Sequence, residues 1–372
     1  MNEITELDEF IGDLRDLVSF RTVVCENPGE FRKANEWIRT FFAGSGVEFI
    51  EFRTGQLTST IIKPTDSVRP SMIGDGHIEV VPASPGQFTL RRRGGKLWGR
   101  GTADMKTQVL AMMHVMRSLV AAGQHHDFWL VLTEDEEVGS QGGAVVVIDH
   151  LVGEGLLPPV VFAPDGGPNF GYVEKEKGIA TFTVTSKGVA AHASRPYLAT
   201  NPIDAMFDLA GVLKDAFPDP VDESDWRPSI AMTGIGAGTA SNRIPAECRA
   251  VFDLRFTEEE SPRTVRDTIE SLVGRFDASV SFEKVEPTAY YPKEAPAARR
   301  FLRLLEDVSG TPPPIIHSAG ASNGRHYAAA GDVHVLMSNP MACGAHGEAE
   351  WVSEDSLLPY IDLVHRTATI EA

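Results

Sequence analysis

Phe128-Trp129-Leu130-Val131-Leu132 runs directly into Thr133-Glu134-Asp135-Glu136-Glu137-Val138-Gly139-Ser140. The apolar pentapeptide reads as a buried strand. Four consecutive acids at the carboxyl end of such a strand repel one another and lose solvation, so something positive must offset them. In open α/β sheets the crevice beyond the carboxyl ends of the strands is where ligands bind, and a divalent metal would supply that charge. By itself the run would read as a solvated acidic loop, as most charge runs do. Its company along the chain decides for the first reading.

Outward from this strand, the order of elements sets the fold class. A first helix carries Leu7, Phe10, Ile11, Leu14, Leu17 and Val18 at helical spacing, and a second carries Phe31, Ala34, Trp37, Ile38, Phe41 and Phe42. Short strands follow near 47–52, 59–62 and 71–73, then a helix over 105–120, and strand and helix signals alternate to about Val161. Such alternation predicts a mostly parallel sheet with helices on its faces. After about Lys175 the order becomes strand 179–186, helix 202–213, strand 229–233, strand 246–256, helix 262–273 and strand 279–282. That βαββαβ sequence predicts a ferredoxin-like unit, complete in itself. From about Tyr291 the alternation resumes, with a helix over 297–308 and a strand over 333–337. The expectation is an α/β catalytic domain made of residues 1–175 and 287–372, interrupted by an inserted domain at 176–286.

Composition narrows the function classes. With 372 residues the chain is long enough for two full cores, and 42% apolar with 23% charged residues is ordinary for a soluble globular protein. A net charge of −18 argues against nucleic acid or an anionic membrane as partner. Arg91-Arg92-Arg93 is the only basic cluster, and Gly94-Gly95 after it marks a hairpin tip in water. Cys25, Cys248 and Cys343 have no CxxC spacing, which fits a reducing compartment and offers no thiolate metal site. The acidic N-terminus lacks the apolar core of a signal peptide, and no apolar run nears the ~20 residues of a membrane span. A cytoplasmic protein acting on a small molecule is the expectation.

The chemistry lies in loops spread along the chain. In Gly76-His77-Ile78-Glu79-Val80-Val81-Pro82, His77 leaves a strand and Glu79 follows two residues on. A metal-bound histidine commonly gives its second N–H to a carboxylate, which fixes the tautomer. In Gly99-Arg100-Gly101-Thr102-Ala103-Asp104-Met105-Lys106, Asp104 stands where the long helix begins. It reads either as a helix N-cap or as a carboxylate able to bridge two metals in the crevice of His77 and Glu137. Asp165 ends the 160–162 strand, and Gly344-Ala345-His346-Gly347-Glu348 sets another histidine in a glycine-rich loop. Oxygen and nitrogen donors without thiolates fit zinc, manganese or cobalt. Glu136, beside Glu137, is the natural general base for a metal-activated water. The other histidines, among them His114, His125 and His126, read as structural or surface residues.

The ordered motifs GHIEVVP, GRGTADMK, TEDEEVGS, APDGG, SKGVAAHASRP and GAHGEAEWV resemble the family of aminoacylases, carboxypeptidase G, succinyl-diaminopimelate desuccinylase and related dipeptidases. The resemblance covers the chain from about Val18 onward. It implies two divalent metal ions per chain, zinc before cobalt or manganese. His77, Asp104 and Asp165 would hold one and Asp104, Glu137 and His346 the other, with Glu136 as acid and base. It implies further that the inserted domain is a lid and dimerisation domain, giving a homodimer. His192 would stabilise an oxyanion in a neighbouring subunit's site, and Asn242, Arg255 and Arg325 would hold the substrate.

Three departures bear on the substrate. Glu79 stands where the family has Asp, Ser322-Asn323 where it has Thr-Asp, and Asp165 is an aspartate where many acylases have Glu. The expected activity is hydrolysis of amide or peptide bonds in dipeptides or N-acyl amino acids. An aminohydrolase or amidase acting on a non-peptide substrate is the alternative that Glu79 and Asn323 favour. A binding protein that lost catalysis on the same scaffold would lack a ligand or Glu136, and all are present.

Overall fold

The computed structural model describes residues 3–24, 26–123, 127–222 and 224–369; Cys25, His125 and His126 lie outside them. Two compact units divide the chain. The first holds the described residues up to Glu174, Tyr290–Ser318 and those from Ser322 on; the second holds Lys175–Ala289 with Ala319–Ala321.

The first unit is built on a six-stranded sheet in the order Val47–Thr54, Leu57–Pro64, Phe128–Thr133, Met72–His77, Val160–Phe162, His334–Leu336. The last four are mutually parallel, and the first two form an antiparallel hairpin at the edge. Met72–His77, Phe128–Thr133 and Val160–Phe162 are buried along their whole length, as parallel strands covered on both faces must be. Side-chain parity shows what covers them. A Cβ on Gly74 or Gly76 would come within 2.7 Å of Met112 Sδ or Val109 Cγ2, so these glycines let the helix Lys106–Ala121 lie directly on the sheet. Asp75, between them, points to the opposite face and meets Tyr327 of the helix Gly324–Ala330. The strand therefore continues past the expected 71–73 to His77. Met105, Met112, Met113 and Met116 are core filling, each at most 1% exposed.

His77 pairs in register with Thr133, and Gly74 with both Leu130 and Phe162. The loops bearing His77, Glu136, Glu137 and Asp165 consequently leave the same carboxyl edge of adjacent parallel strands.

In the second unit, chain order is strand, helix, strand, strand, helix, strand. Its antiparallel sheet runs Ser229–Ala237, Glu247–Phe256, Gly178–Lys187, Ala278–Glu286. Pro202–Ala216 and Pro262–Val273 pack on this sheet and on each other. Asn201 and Ser261 cap these helices through side-chain bonds to Ile203 N and Thr264 N, each followed by a proline in the first turn. Alternate residues Ala180, Phe182, Val184 and Ala250, Phe252, Leu254 form the core, with Phe182 and Phe252 stacked at 5.4 Å.

The basic triplet occupies the exposed strand Arg91–Arg93, turned through Gly94-Gly95 into Lys96–Trp98. Among the described residues Cys248 and Cys343 are free, and no helix is long and apolar enough to cross a membrane.

Candidate active site

Asp104 organises the site. The helix after it begins at Lys106 with Met105 at the cap position and no side-chain cap bond, so Asp104 is not the N-cap. Its two oxygens face different imidazoles instead. His77 Nε2 lies 3.0 Å from Oδ1, and His346 Nε2 lies 3.0 Å from Oδ2. Glu137 Oε1 is 2.9 Å from His346 Nε2, and Asp165 Oδ2 is 4.0 Å from His77 Nε2. Donor atoms of His77, Glu136 and Asp165 lie within 4.8 Å of one another, as do those of His77, Asp104 and Glu137. The five expected ligands and Glu136 thus converge.

The donor set fits divalent metal. Two ligands on one ion at ordinary bond lengths stand roughly 3 to 3.5 Å apart; the two N···O separations at Asp104 are 3.0 Å, and that between His346 and Glu137 is 2.9 Å. The cluster also draws positive charge. Burial opposes a charge on His77, yet Glu79 and Asp104 outweigh it and raise its pKa well above the ordinary value. Hydrogen bonds to Asp104 and Glu137 push His346 up to about 10. Burial alone would raise Asp104, but the bonds to His346 and His77 hold it far below the usual carboxylate range. Burial, then the charge of Asp165, pushes Glu136 well above that range.

Half of the acid run departs from the expectation that all four acids need a cation. Glu134 accepts from Asn35 Nδ2 and from Thr58 N, both at 2.7 Å. Asp135 accepts from Gly142 N at 2.8 Å, at the entry to the helix Ala144–Gly153. A Cβ on Gly143 would collide with Asp135 Oδ1, so glycine is what lets that carboxylate reach the helix end. Protein donors claim both oxygens of Glu134 and one of Asp135; only Glu136 and Glu137 belong to the site.

Glu79 also departs in detail. The nearest acceptor to His77 Nδ1 is the carbonyl oxygen of Glu79 at 3.1 Å, while its carboxylate Oε1 stands 3.6 Å away. The longer side chain reaches on to accept from Glu137 N at 3.2 Å, so it joins the His77 loop to the Glu137 loop. Burial raises Glu79 to about 7.

Two residues with a supporting role were not singled out from the sequence. Arg100 Nη1 donates to Glu350 Oε2 at 2.5 Å in a pair that is almost fully buried. Glu350 Oε1 accepts from Ala103 N and Asp104 N, and Arg100 Nη2 donates to the carbonyl of His346 at 3.2 Å. This pair holds the Asp104 loop to the His346 loop, where His346 has φ +63°. Both residues stand inside the quoted motifs, and a charged residue of each sign in two glycine-rich loops was the available signal.

The remaining expected residues divide between the two units. Arg325 is in the first unit, 3% exposed near the start of Gly324–Ala330. His192, Asn242 and Arg255 are in the second. The short pairing of Ala191–His192 with Arg243–Ile244 brings His192 beside Asn242, whose carbonyl accepts from Ala193 N at 2.8 Å. Arg255 is half-buried and forks onto Asp253, with Nε 2.7 Å from Oδ1.

Histidines and carboxylates gathered at the carboxyl edge of a parallel sheet, with a half-buried acid among them, define the class: a metallohydrolase. The family profile of peptidase family M20/M25/M40 matches residues 74–369, and the chain belongs to that metal-dependent family. It is accordingly a hydrolase acting on amide bonds. A succinyl-diaminopimelate desuccinylase of Aromatoleum aromaticum is 29% identical over 317 residues, 80% of this chain and 81% of that protein. In fold the chain is similar to an M20 family metallo-carboxypeptidase from Sulfolobus solfataricus, with TM-score 0.82, 16% identity and 99% of both chains covered. It is similar also to human carnosine dipeptidase 1, with TM-score 0.76, 16% identity and 98% and 97% of the two chains covered.

Proposed function

We propose that the protein hydrolyses the C–N bond of small substrates such as dipeptides or N-acyl amino acids, using two divalent metal ions per chain. The observation that carries this reading is Asp104, whose two oxygens face His77 and His346 separately, as a carboxylate shared by two ions would. His77, Asp104 and Asp165 would hold one ion, and Asp104, Glu137 and His346 the other, with zinc favoured over cobalt or manganese by the mixed N and O donors. When bound, such ions polarise the scissile carbonyl and acidify the attacking water.

Glu136 takes the proton from that water as its oxygen bonds to the carbonyl carbon, and returns it to the amine nitrogen as the C–N bond breaks. Its raised affinity for a proton suits the role, because a carboxyl that takes up a proton more readily can carry it to the leaving amine. His192 is the proposed oxyanion donor. Its Nδ1 accepts from Ser194 N at 3.2 Å, which leaves the proton on the exposed Nε2. The second unit is read as a ferredoxin-like lid and dimerisation domain, supported by its antiparallel sheet order and helix pair, and the protein as a homodimer through it. Asn242, Arg255 and Arg325 are proposed to hold the substrate.

Glu136→Gln should keep the fold and its metal and lose turnover by about 100-fold or more. Wild-type rates in that variant would remove Glu136 from the mechanism. A non-peptide amide or amine substrate is the second reading, favoured by the position of Glu79 between His77 and Glu137. Turnover of such compounds, with none of dipeptides or N-acyl amino acids, would establish it.

A further inference from the structure

We infer that Asn323 is a positioning residue that locks the loop carrying Glu136 and Glu137 to the strand ending at His77, through one side-chain relay from Ser140 to Asp75. This inference rests on the reading of the site proposed above.

Asn323 is 2% exposed and stands just before the helix Gly324–Ala330, where its side chain makes no cap bond. The amide points into the sheet edge instead. Oδ1 accepts from Ser140 Oγ at 2.7 Å, and Nδ2 donates to Asp75 Oδ2 at 3.1 Å and reaches Thr133 Oγ1 at 3.4 Å. Tyr327 OH donates to the other oxygen of Asp75 at 2.9 Å. The polarity of this chain is fixed. Both oxygens of Asp75 accept, one from Tyr327 OH and one from the NH2 of Asn323, and the Asn323 oxygen is left for the hydroxyl of Ser140.

The two ends matter because of what they carry. Asp75 precedes His77 by two residues in the same strand, and Ser140 follows Glu137 by three. Ser140 has φ +63° after Gly139 at φ +112°, and its N–H donates to Asp135 O at 2.8 Å. The left-handed backbone at a non-glycine residue needs support from its surroundings. The Asn323 bond supplies it from below the loop. A change at Asn323 therefore shifts Glu136 and Glu137 against His77 without touching any of them.

Only a group with an acceptor on one side and a donor on the other completes the relay. Asn323→Asp puts a carboxylate oxygen where Nδ2 lies 3.1 Å from Asp75 Oδ2, so the donor is lost and two acceptors face each other. Exchanging both residues, Asp75→Asn with Asn323→Asp, restores every bond with the charge moved. The carboxylate at position 323 then accepts from Ser140 Oγ and from the new amide at position 75, whose oxygen accepts from Tyr327.

The test uses full-length metal-free protein and cobalt(II) as the probe. Cobalt affinity is read from visible absorption, kcat and KM on any substrate the wild type turns over, and stability from urea midpoints. Asn323→Asp should lose about 10-fold or more in both cobalt affinity and kcat, with KM within about 3-fold, and the double exchange should recover both. Wild-type affinity and kcat in Asn323→Asp, or a double exchange no better than the single, would overturn the inference. If Asn323→Asp does not fold, the double exchange decides: wild-type absorption supports the relay, and misfolding or altered absorption refutes it. If the wild type itself binds no cobalt, the metal reading has failed. The relay is then judged on urea midpoints alone, where the double exchange must exceed both single variants.

Discussion

Replacing Glu134 by Gln should stabilise the protein above neutral pH and leave it unchanged in acid. Glu134 is 1% exposed, with one oxygen on Asn35 Nδ2 and the other on Thr58 N. Burial pushes its carboxyl from the ordinary 4.5 to about 7, against the pull of those two donors. A carboxyl raised in this way holds its proton more tightly folded than unfolded. Below pH 4.5 both states are protonated and the group contributes no pH dependence; between 4.5 and about 7 the unfolded chain ionises first and stability falls. Above that window the loss is complete. Each pH unit is worth about 1.4 kcal/mol, so the ceiling is about 3 kcal/mol. Gln keeps an oxygen for Thr58 N, and its NH2 finds the Asn35 oxygen once that amide turns over. The bonds from Asn35 and Thr58 are already part of the shift, so with no difference in acid the gain above the window is the full amount, about 3 kcal/mol. Urea midpoints of metal-free wild type and Glu134→Gln, compared from about pH 5 to about pH 8.5, measure it. Titration of the histidine and carboxylate cluster is common to both proteins and cancels in the difference. A difference that does not grow with pH, or a variant less stable at high pH, would refute the assignment of Glu134 to a closed, protein-satisfied pocket.

Gly143→Ala, slight as it looks, should cost about 2–4 kcal/mol, because its Cβ would collide with Asp135 Oδ1 and lie 3.1 Å from Ser59 Oγ; a wild-type melting temperature would contradict this. Arg255→Ala should leave the melting temperature almost unchanged, since the half-buried pair with Asp253 is worth under about 1 kcal/mol. If Arg255 holds the substrate, KM should rise about 10-fold with kcat near wild type. An unchanged KM would remove it from the substrate site.

The proposed metal ligands were legible because they are chemically odd where they stand. A histidine or a carboxylate in a short glycine-rich turn after a buried strand has few structural uses, and four such turns in order point to one crevice. The alternation of elements was legible for a related reason, since each strand buried on both faces must be apolar throughout. Where a strand breaks that rule, the reading stopped short. Gly74-Asp75-Gly76 looks like a turn, yet it is the middle of Met72–His77. The glycines are there because Met112 and Val109 leave no room for a Cβ, and the aspartate because Asn323 and Tyr327 supply its donors.

That last dependence explains what could not be read. The acid run looks uniform in sequence, but its four members divide by partners that are distant along the chain. Asn35 and Thr58 take Glu134, the backbone entering the next helix takes Asp135, and the crevice keeps Glu136 and Glu137. In the same way Glu350 belongs to Arg100 and Asp75 to Asn323. A buried polar group is stable only when its donors and acceptors are met, and that accounting is settled by the folded arrangement. Residue type and spacing therefore announce which groups need a partner, while only the fold says which have one from the protein and which are left for a ligand. The acids gathered on histidines and on one another, rather than on main-chain or amide donors, mark the site.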